Sequence, residues 1–267
     1  MLLVFDIGNT NIKAALCADG EIVHQWRIST DVRRTGDEYF SVLRSLFHGH
    51  QIDCGQIEDA AISSVVPALI GPFVLVTQHL LGKKPLLIGP DIYHALPIKL
   101  RRTAASEIGT DLLCDALESW CRYQVPCVIA DFGTALSFIA VSGGGEIVGV
   151  AIAPGIGTAL KALFTNTAQL PSVPLEVPPS VLGTNTTESI QSGILFGYKG
   201  LVEGMVSAMK QELVRTTGIQ EDAIRTIATG GLNSILEPIT SVFDVTDKEL
   251  TVQGIVRAAQ FAGFPAE

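Results

Sequence analysis

The sequence predicts an α/β protein built from two related halves. Three observations carry that expectation. An apolar run ending in Asp-x-Gly occurs twice, at residues 2–8 and 127–133, with Asp131 lying 125 residues after Asp6. The segment Gly20-Glu21-Ile22-Val23 returns as Gly145-Glu146-Ile147-Val148 at the same offset of 125 residues. Helical stretches are interspersed among these strand-like pieces, which is the α/β pattern.

Each copy reads as strand, turn, strand, Gly-rich turn, strand, because apolar runs bounded by Gly-containing turns are hairpin signals. One Asp-Gly turn between strands is common; equal offsets over two separate motifs are not. A further pair of strands is expected at residues 60–67 and 226–232, both apolar runs ending in small residues. Residues 37–47 place Phe40, Leu43 and Leu46/Phe47 close to helical spacing. Residues 106–120 open with Ser106 as a candidate N-cap and continue with Ile108, Leu112, Leu113, Ala116 and Leu117. Residues 190–213 form a long apolar pattern interrupted by Gly193, Gly197, Gly200 and Gly204. Glycines weaken a helix, so this spacing predicts a buried contact where another backbone packs closely. Residues 250–261 read as a final helix. The Pro-rich stretch 170–179 reads as a surface loop rather than a flexible linker, and Gly143-Gly144-Gly145 as a hairpin tip. The division falls near residues 115–120, giving halves of 1–117 and 118–267 with a ligand expected in the cleft between them.

Composition bounds the function. The chain has 267 residues, 47% hydrophobic and 17% charged, so it can bury a sizeable core. Its net charge of −9 argues against a dedicated nucleic-acid binder, though backbone N–H groups can hold a small anion in an acidic protein. The start lacks the pattern of a secretory signal, and no uninterrupted apolar run approaches the roughly 20 residues of a membrane span. The cysteines (Cys17, Cys54, Cys114, Cys121, Cys127) are scattered and odd in number, as expected of reduced thiols in a cytoplasmic protein. His48-Gly49-His50 has no third metal ligand nearby and reads as a surface turn.

The first Asp-Gly turn, Asp6-Ile7-Gly8-Asn9-Thr10-Asn11, has the chemistry of a phosphate cradle. Gly8 admits a ligand to the backbone, and Asn9, Thr10 and Asn11 set short donors beside consecutive N–H groups. Asp6 could hold a hydrated Mg²⁺ against the phosphates, and Lys13 could add positive charge. Taken alone this turn reads equally as a plain hairpin. The second turn, with Gly133 and Thr134, and the later Thr229-Gly230-Gly231 turn favour phosphate. There is no P-loop. Two Asp-Gly phosphate turns and a late Gly-Gly adenosine turn resemble the sugar kinase, Hsp70 and actin superfamily. That resemblance implies two ribonuclease-H-like domains with mixed sheets, the actin-like ATPase architecture, with ATP between the halves.

Several segments are similar to those of type III pantothenate kinases: residues 6–11, Ile62-Ser63-Ser64-Val65-Val66-Pro67, Glu107-Ile108-Gly109-Thr110-Asp111, Ala130-Asp131-Phe132-Gly133-Thr134-Ala135, Ile152-Ala153-Pro154-Gly155-Ile156, Gly183-Thr184-Asn185-Thr186, Ser189-Ile190-Gln191-Ser192-Gly193 and Ala228-Thr229-Gly230-Gly231. They run in order over nearly the whole chain. The resemblance implies a cytoplasmic homodimer that phosphorylates pantothenate with ATP, using Mg²⁺ and K⁺ or NH₄⁺, in the first step of coenzyme A biosynthesis. It implies no nucleic-acid or membrane partner. By position it makes Asp111 the catalytic base and Asp131 the ligand of the monovalent cation. It places ATP on Asp6, Ile7, Gly8, Asn9, Thr10, Asn11, Ile12, Lys13, Gly133 and Thr134. The acceptor falls on Gly109, Thr110, Asp111, Leu112 and Thr186.

Three departures from the family pattern are visible. The base is usually followed by Arg, here by Leu112. The upstream Tyr-Asp-Asn-Pro stretch is absent, replaced by Leu100-Arg101-Arg102-Thr103-Ala104-Ala105. Leu136-Ser137 stand where Thr-Thr is common. Either Arg101 or Arg102 supplies the anion contact from a shifted loop, or the acceptor is another small hydroxy acid, or the chain is a non-catalytic nucleotide-binding relative. Retention of Asp6, Asp111 and Asp131 together favours an enzyme.

Overall fold

The computed structural model describes residues 1–100, 107–167, 169–231 and 233–264. Arg101, Arg102 and the Ser106 cap lie outside the described residues. Two compact units emerge, one of residues 1–122 with 250–267 and the other of residues 123–249.

In the first unit, strands β1 (Leu2–Ile7), β2 (Asn11–Ala18), β3 (Glu21–Ser29), β4 (Asp59–Ser64) and β5 (Leu86–Leu87) form one sheet in the order β3-β2-β1-β4-β5. The first three pair antiparallel, and β4 and β5 add in parallel. Helices α1 (Gly36–Gly49) and α2 (Pro67–Leu81) cover one face. α1 starts where Thr35 and Glu38 close a reciprocal capping box. Leu3, Phe5 and Ile7 of β1 bury against Tyr39, Leu43 and Phe47 of α1 and Leu69, Phe73 and Val76 of α2. Because side chains alternate along a strand, Leu2, Val4 and Asp6 turn to the opposite face. A short strand β6 (Lys99–Leu100) precedes helix α3 (Thr110–Tyr123).

The second unit repeats the plan. Strands β7 (Cys127–Phe132), β8 (Ala135–Val141), β9 (Glu146–Pro154), β10 (Arg225–Thr229) and β11 (Val245–Thr246) run in the order β9-β8-β7-β10-β11, with the same mixture of antiparallel and parallel pairs. Both hairpins even carry a register slip at corresponding places, between Leu16 and Cys17 and between Ala140 and Val141. The shared order is the ribonuclease-H-like topology, present twice, as expected from the repeat.

Helices α4 (Ile156–Thr165), α5 (Thr186–Thr217) and α6 (Asn233–Leu236) follow in the second unit, and α7 (Leu250–Phe261) ends the chain. Leu195, Tyr198, Val202 and Val206 of α5 enter its core. Gly193, Gly197, Gly200 and Gly204 lie on the other face, and a Cβ at any of them would meet nothing within 4 Å. The close backbone contact expected there is therefore not made among the described residues. The terminal helix also departs from the expected 118–267 half. α7 packs on β1, β2 and β4 of the first unit, burying Leu250, Val252, Ile255, Val256, Ala258 and Ala259. Its Gly254 sits so close to Cys114 of α3 that a Cβ would overlap that residue's backbone. The five cysteines are unbridged, and among the described residues no helix is long and apolar enough to cross a membrane.

Candidate functional site

The first Asp-Gly turn joins β1 to β2 and is pinned by its neighbours. The Gly8 N–H donates to the Asn11 carbonyl at 3.1 Å, and the Thr30 N–H donates to the Thr10 carbonyl at 3.0 Å. The Thr30 hydroxyl donates to the Gly8 carbonyl at 2.7 Å. Ile7 and Ile12 are buried beneath the turn, so they can offer a ligand only backbone. Asn9, Thr10 and Asn11 are exposed at the tip. That is the arrangement a phosphate cradle needs, with rigid backbone below and short polar side chains above.

Asp6 and Lys13 are cross-strand partners, and their charged groups lie 3.6 Å apart with little exposure on either side chain. Burial pushes the Asp6 carboxyl above its usual range, and the Lys13 charge opposes that. Ser63 is the parallel partner of Asp6 on β4, so both project from one sheet face. There the Ser63 hydroxyl bonds the Thr110 hydroxyl at 2.8 Å, tying the start of α3 to the sheet.

Asp111 stands in the first turn of α3, where the helix dipole favours an anion. The Leu112 N–H donates to Asp111 Oδ1 at 2.8 Å. The Asp111 carboxyl is nevertheless raised, first by burial and further by the Asp6 charge, with the Leu112 N–H opposing. A Cβ at Gly109 would overlap Asp111 Oδ1, so glycine is what lets the carboxylate fold back over the helix start. Leu112 buries its side chain and serves the site through its N–H alone. Below, the Cys114 thiol is held well above its ordinary range by burial and by Asp115, Asp6 and Asp111, and so stays protonated.

In the second unit the corresponding turn is one residue shorter. The Gly133 N–H donates to the Ala135 carbonyl at 3.0 Å. The Thr134 carbonyl accepts from the Gly155 N–H at 3.1 Å and the Thr158 hydroxyl at 2.7 Å. A side chain at Gly155 would overlap the Gly133 and Thr134 carbonyls. The shorter turn changes what faces the acid: opposite Asp6 stands Lys13, but opposite Asp131 stands Ser137. On its other side Asp131 pairs with Thr229 of β10, whose buried hydroxyl has no hydrogen-bond partner among the described residues. Gly230 has φ +88°, and a Cβ there would overlap Asp131 Oδ1 and the Phe132 backbone. Thr186 is exposed in the first turn of α5, behind the Asn185 cap.

The structure thus gathers Asp6, Gly8–Lys13 and Gly109–Leu112 within the first unit, and Asp131, Gly133 and Thr134 within the second. Sequence reasoning did not assign Ser63, Ser137 or the Thr229 hydroxyl to the site. The strand-to-turn motifs containing Ser63 and Thr229 were visible. The role of each hydroxyl depends on strand register, which no local pattern reveals.

Comparison with known proteins follows the same lines. A family model described as type III pantothenate kinase matches residues 2–208. The type III pantothenate kinase of Moorella thermoacetica is 38% identical over 255 residues, covering 96% of this chain and 97% of the relative. That of Geobacter sulfurreducens is 38% identical over 255 residues, covering 96% of each. Among solved structures, a conserved putative Baf family transcriptional activator from Campylobacter jejuni aligns with a TM-score of 0.59 at 16% identity, covering 98% of both chains. At that identity the likeness concerns the fold.

A buried carboxylate with a raised folded-state pKa costs stability when ionised. The cost is absent below the unfolded value and complete once pH has risen through the folded one. Asp111→Asn, which keeps an acceptor for the Leu112 N–H, should therefore raise stability at pH 7. Thermal unfolding against pH checks this. The gain should shrink as pH falls toward 3.8, the ordinary aspartate value; an unchanged or lower Tm at pH 7 would contradict it.

Proposed function

The chain belongs to the type III pantothenate kinase family, and we propose that its two Asp-Gly turns and Asp111 carry the ATP-dependent phosphorylation of pantothenate to 4′-phosphopantothenate, the first step of coenzyme A biosynthesis. The observation that supports this assignment most is the Asp111 carboxylate, held at a helix start on the sheet face that carries Asp6 and made more basic by burial. As the primary hydroxyl attacks the γ-phosphorus, Asp111 accepts its proton. Gly8, Asn9, Thr10, Asn11 and Lys13 hold the phosphates from the first turn, with Ile7 and Ile12 contributing backbone, and Gly133 and Thr134 hold them from the second. Gly109, Thr110 and Leu112 surround the acceptor hydroxyl, and Thr186 contacts the acceptor in a homodimer.

Two cations fit the residues present. Among the described residues no group of three or more His, Cys, Asp or Glu could hold a metal by itself. Asp6 offers one buried carboxylate, which suits Mg²⁺ held largely by water and phosphate; bound there, Mg²⁺ would neutralise charge on the phosphates. At Asp131 the cross-strand partner is Ser137, and the buried Thr229 hydroxyl lacks a hydrogen-bond partner among the described residues. An oxygen-rich place of this kind suits K⁺ or NH₄⁺.

The exposed glycine face of α5 supports a homodimer, since four glycines without a neighbour let a second backbone approach closely. Unbridged cysteines support a cytoplasmic setting.

Three outcomes are expected. An assay of ADP release with pantothenate should show turnover, and Asp111→Asn should lower kcat by about 10²–10⁴-fold; a variant near the wild-type rate would remove Asp111 from the role of base. Thr229→Val should abolish the rise in Tm that K⁺ gives the native protein over Na⁺, because a ligand of the folded state raises Tm. A variant that keeps the K⁺-dependent rise would clear Thr229 of that role. Gly200→Leu should shift sedimentation from dimer to monomer, and a dimer that tolerates leucine there would place the interface elsewhere.

A further inference from the structure

Three contacts locate helix α3, whose first turn carries Asp111. At its start the Ser63 and Thr110 hydroxyls bond at 2.8 Å. One turn on, Cys114 lies directly against Gly254 of α7. A further turn on, Glu118 is 2% exposed and is gripped by two guanidinium groups. Arg257 Nε of α7 donates to its Oε2 at 3.1 Å. Arg122 donates to its Oε1 through Nε at 3.1 Å and Nη2 at 2.9 Å.

The two arginines do different work. A carboxylate so deeply buried is tolerable only when paired, and either guanidinium helps with that. Arg122 lies on the same helix as Glu118, four residues on, so its bond to Glu118 cannot set where α3 stands. Arg257 lies on α7, which packs on β1 and β4, the strands that carry Asp6 and Ser63. A helix is stiff along its axis, and Glu118 is about 10 Å from Asp111 at 1.5 Å per residue. A slide or rotation allowed at Glu118 therefore reaches the first turn.

We infer that Glu118 and Arg257 are positioning residues for phosphoryl transfer: their ion pair, buried on the Glu118 side, ties α3 to the sheet together with the Gly254–Cys114 contact, so that Asp111 meets the acceptor hydroxyl. The inference rests on the reading of Asp111 as the base. Proton transfer needs an approach of about 2.6–3.2 Å, and a misplacement of about 1 Å costs on the order of 10²-fold in rate. The pair thus acts on kcat through geometry while leaving the ATP-binding turn alone.

The test compares kinetics of the full-length enzyme, with each variant assayed below its own unfolding transition. Arg257→Met should lower kcat by about 10–100-fold with the KM for ATP within about twofold of wild type. Arg257→Lys should recover most of the rate. Arg122→Met, which leaves the link between helices intact, should keep kcat within about threefold. In an Asp111→Asn background, Arg257→Met should cost little more, because both changes act on one step. Should Arg257→Met fail to fold, Gly254→Ala, which displaces α7 from Cys114 but keeps the charges, should show the same fall in kcat at constant ATP KM. An undiminished loss in the Asp111→Asn background would overturn the inference. A wild-type kcat in Arg257→Met would overturn it alone, whereas a wild-type rate in Asp111→Asn would overturn the base and this inference with it.

Discussion

Two carboxylates of like charge on one sheet face, both poorly solvated, are the constraint around which the first unit is organised. Asp6 ends a buried strand and Asp111 begins a helix, and the Asp6 charge raises the cost of ionising Asp111. The fold offsets that cost without removing it. Lys13 lies 3.6 Å from Asp6, the Leu112 N–H caps Asp111, and the start of α3 contributes its dipole. What remains is a carboxylate more basic than an exposed one. The raised basicity and the stability cost share one origin, burial beside a like charge.

The duplication explains both the likeness of the units and their division of labour. The same strand order and the same slip in the second strand show one plan used twice. A single residue fewer in the second turn moves Ser137 to the place of Lys13. The first turn therefore sets a lysine opposite its aspartate, and the second sets a hydroxyl there. The terminal helix breaks the repeat in another way. α7 follows the second sheet in sequence but lends its apolar face to the first, where glycine at 254 permits backbone contact with α3.

Much of this was legible in the residues themselves. Strand-turn-strand units, the helices and both Asp-Gly turns follow from local alternation, spacing and turn chemistry, and the repeat was visible as a constant offset. Other features were not legible for identifiable reasons. The four glycines of α5 suggested a buried contact, because spacing reveals a close-packing face but not what covers it. That the Leu112 side chain turns inward while its N–H reaches Asp111 depends on how α3 packs. The Thr229 hydroxyl and Ser63 gained their places through register between strands far apart in the chain.

Sequence alone determined the elements, their order, the two turns able to hold phosphate and the family that uses them. These depend on propensities and hydrogen bonds within a few residues of chain. Tertiary structure decided which sheet α7 covers, which residue stands opposite each strand-end aspartate, and how Glu118 is neutralised from another helix. Those outcomes depend on burial and on charges brought together from distant parts of the chain, and desolvation exists only once the chain has closed around them.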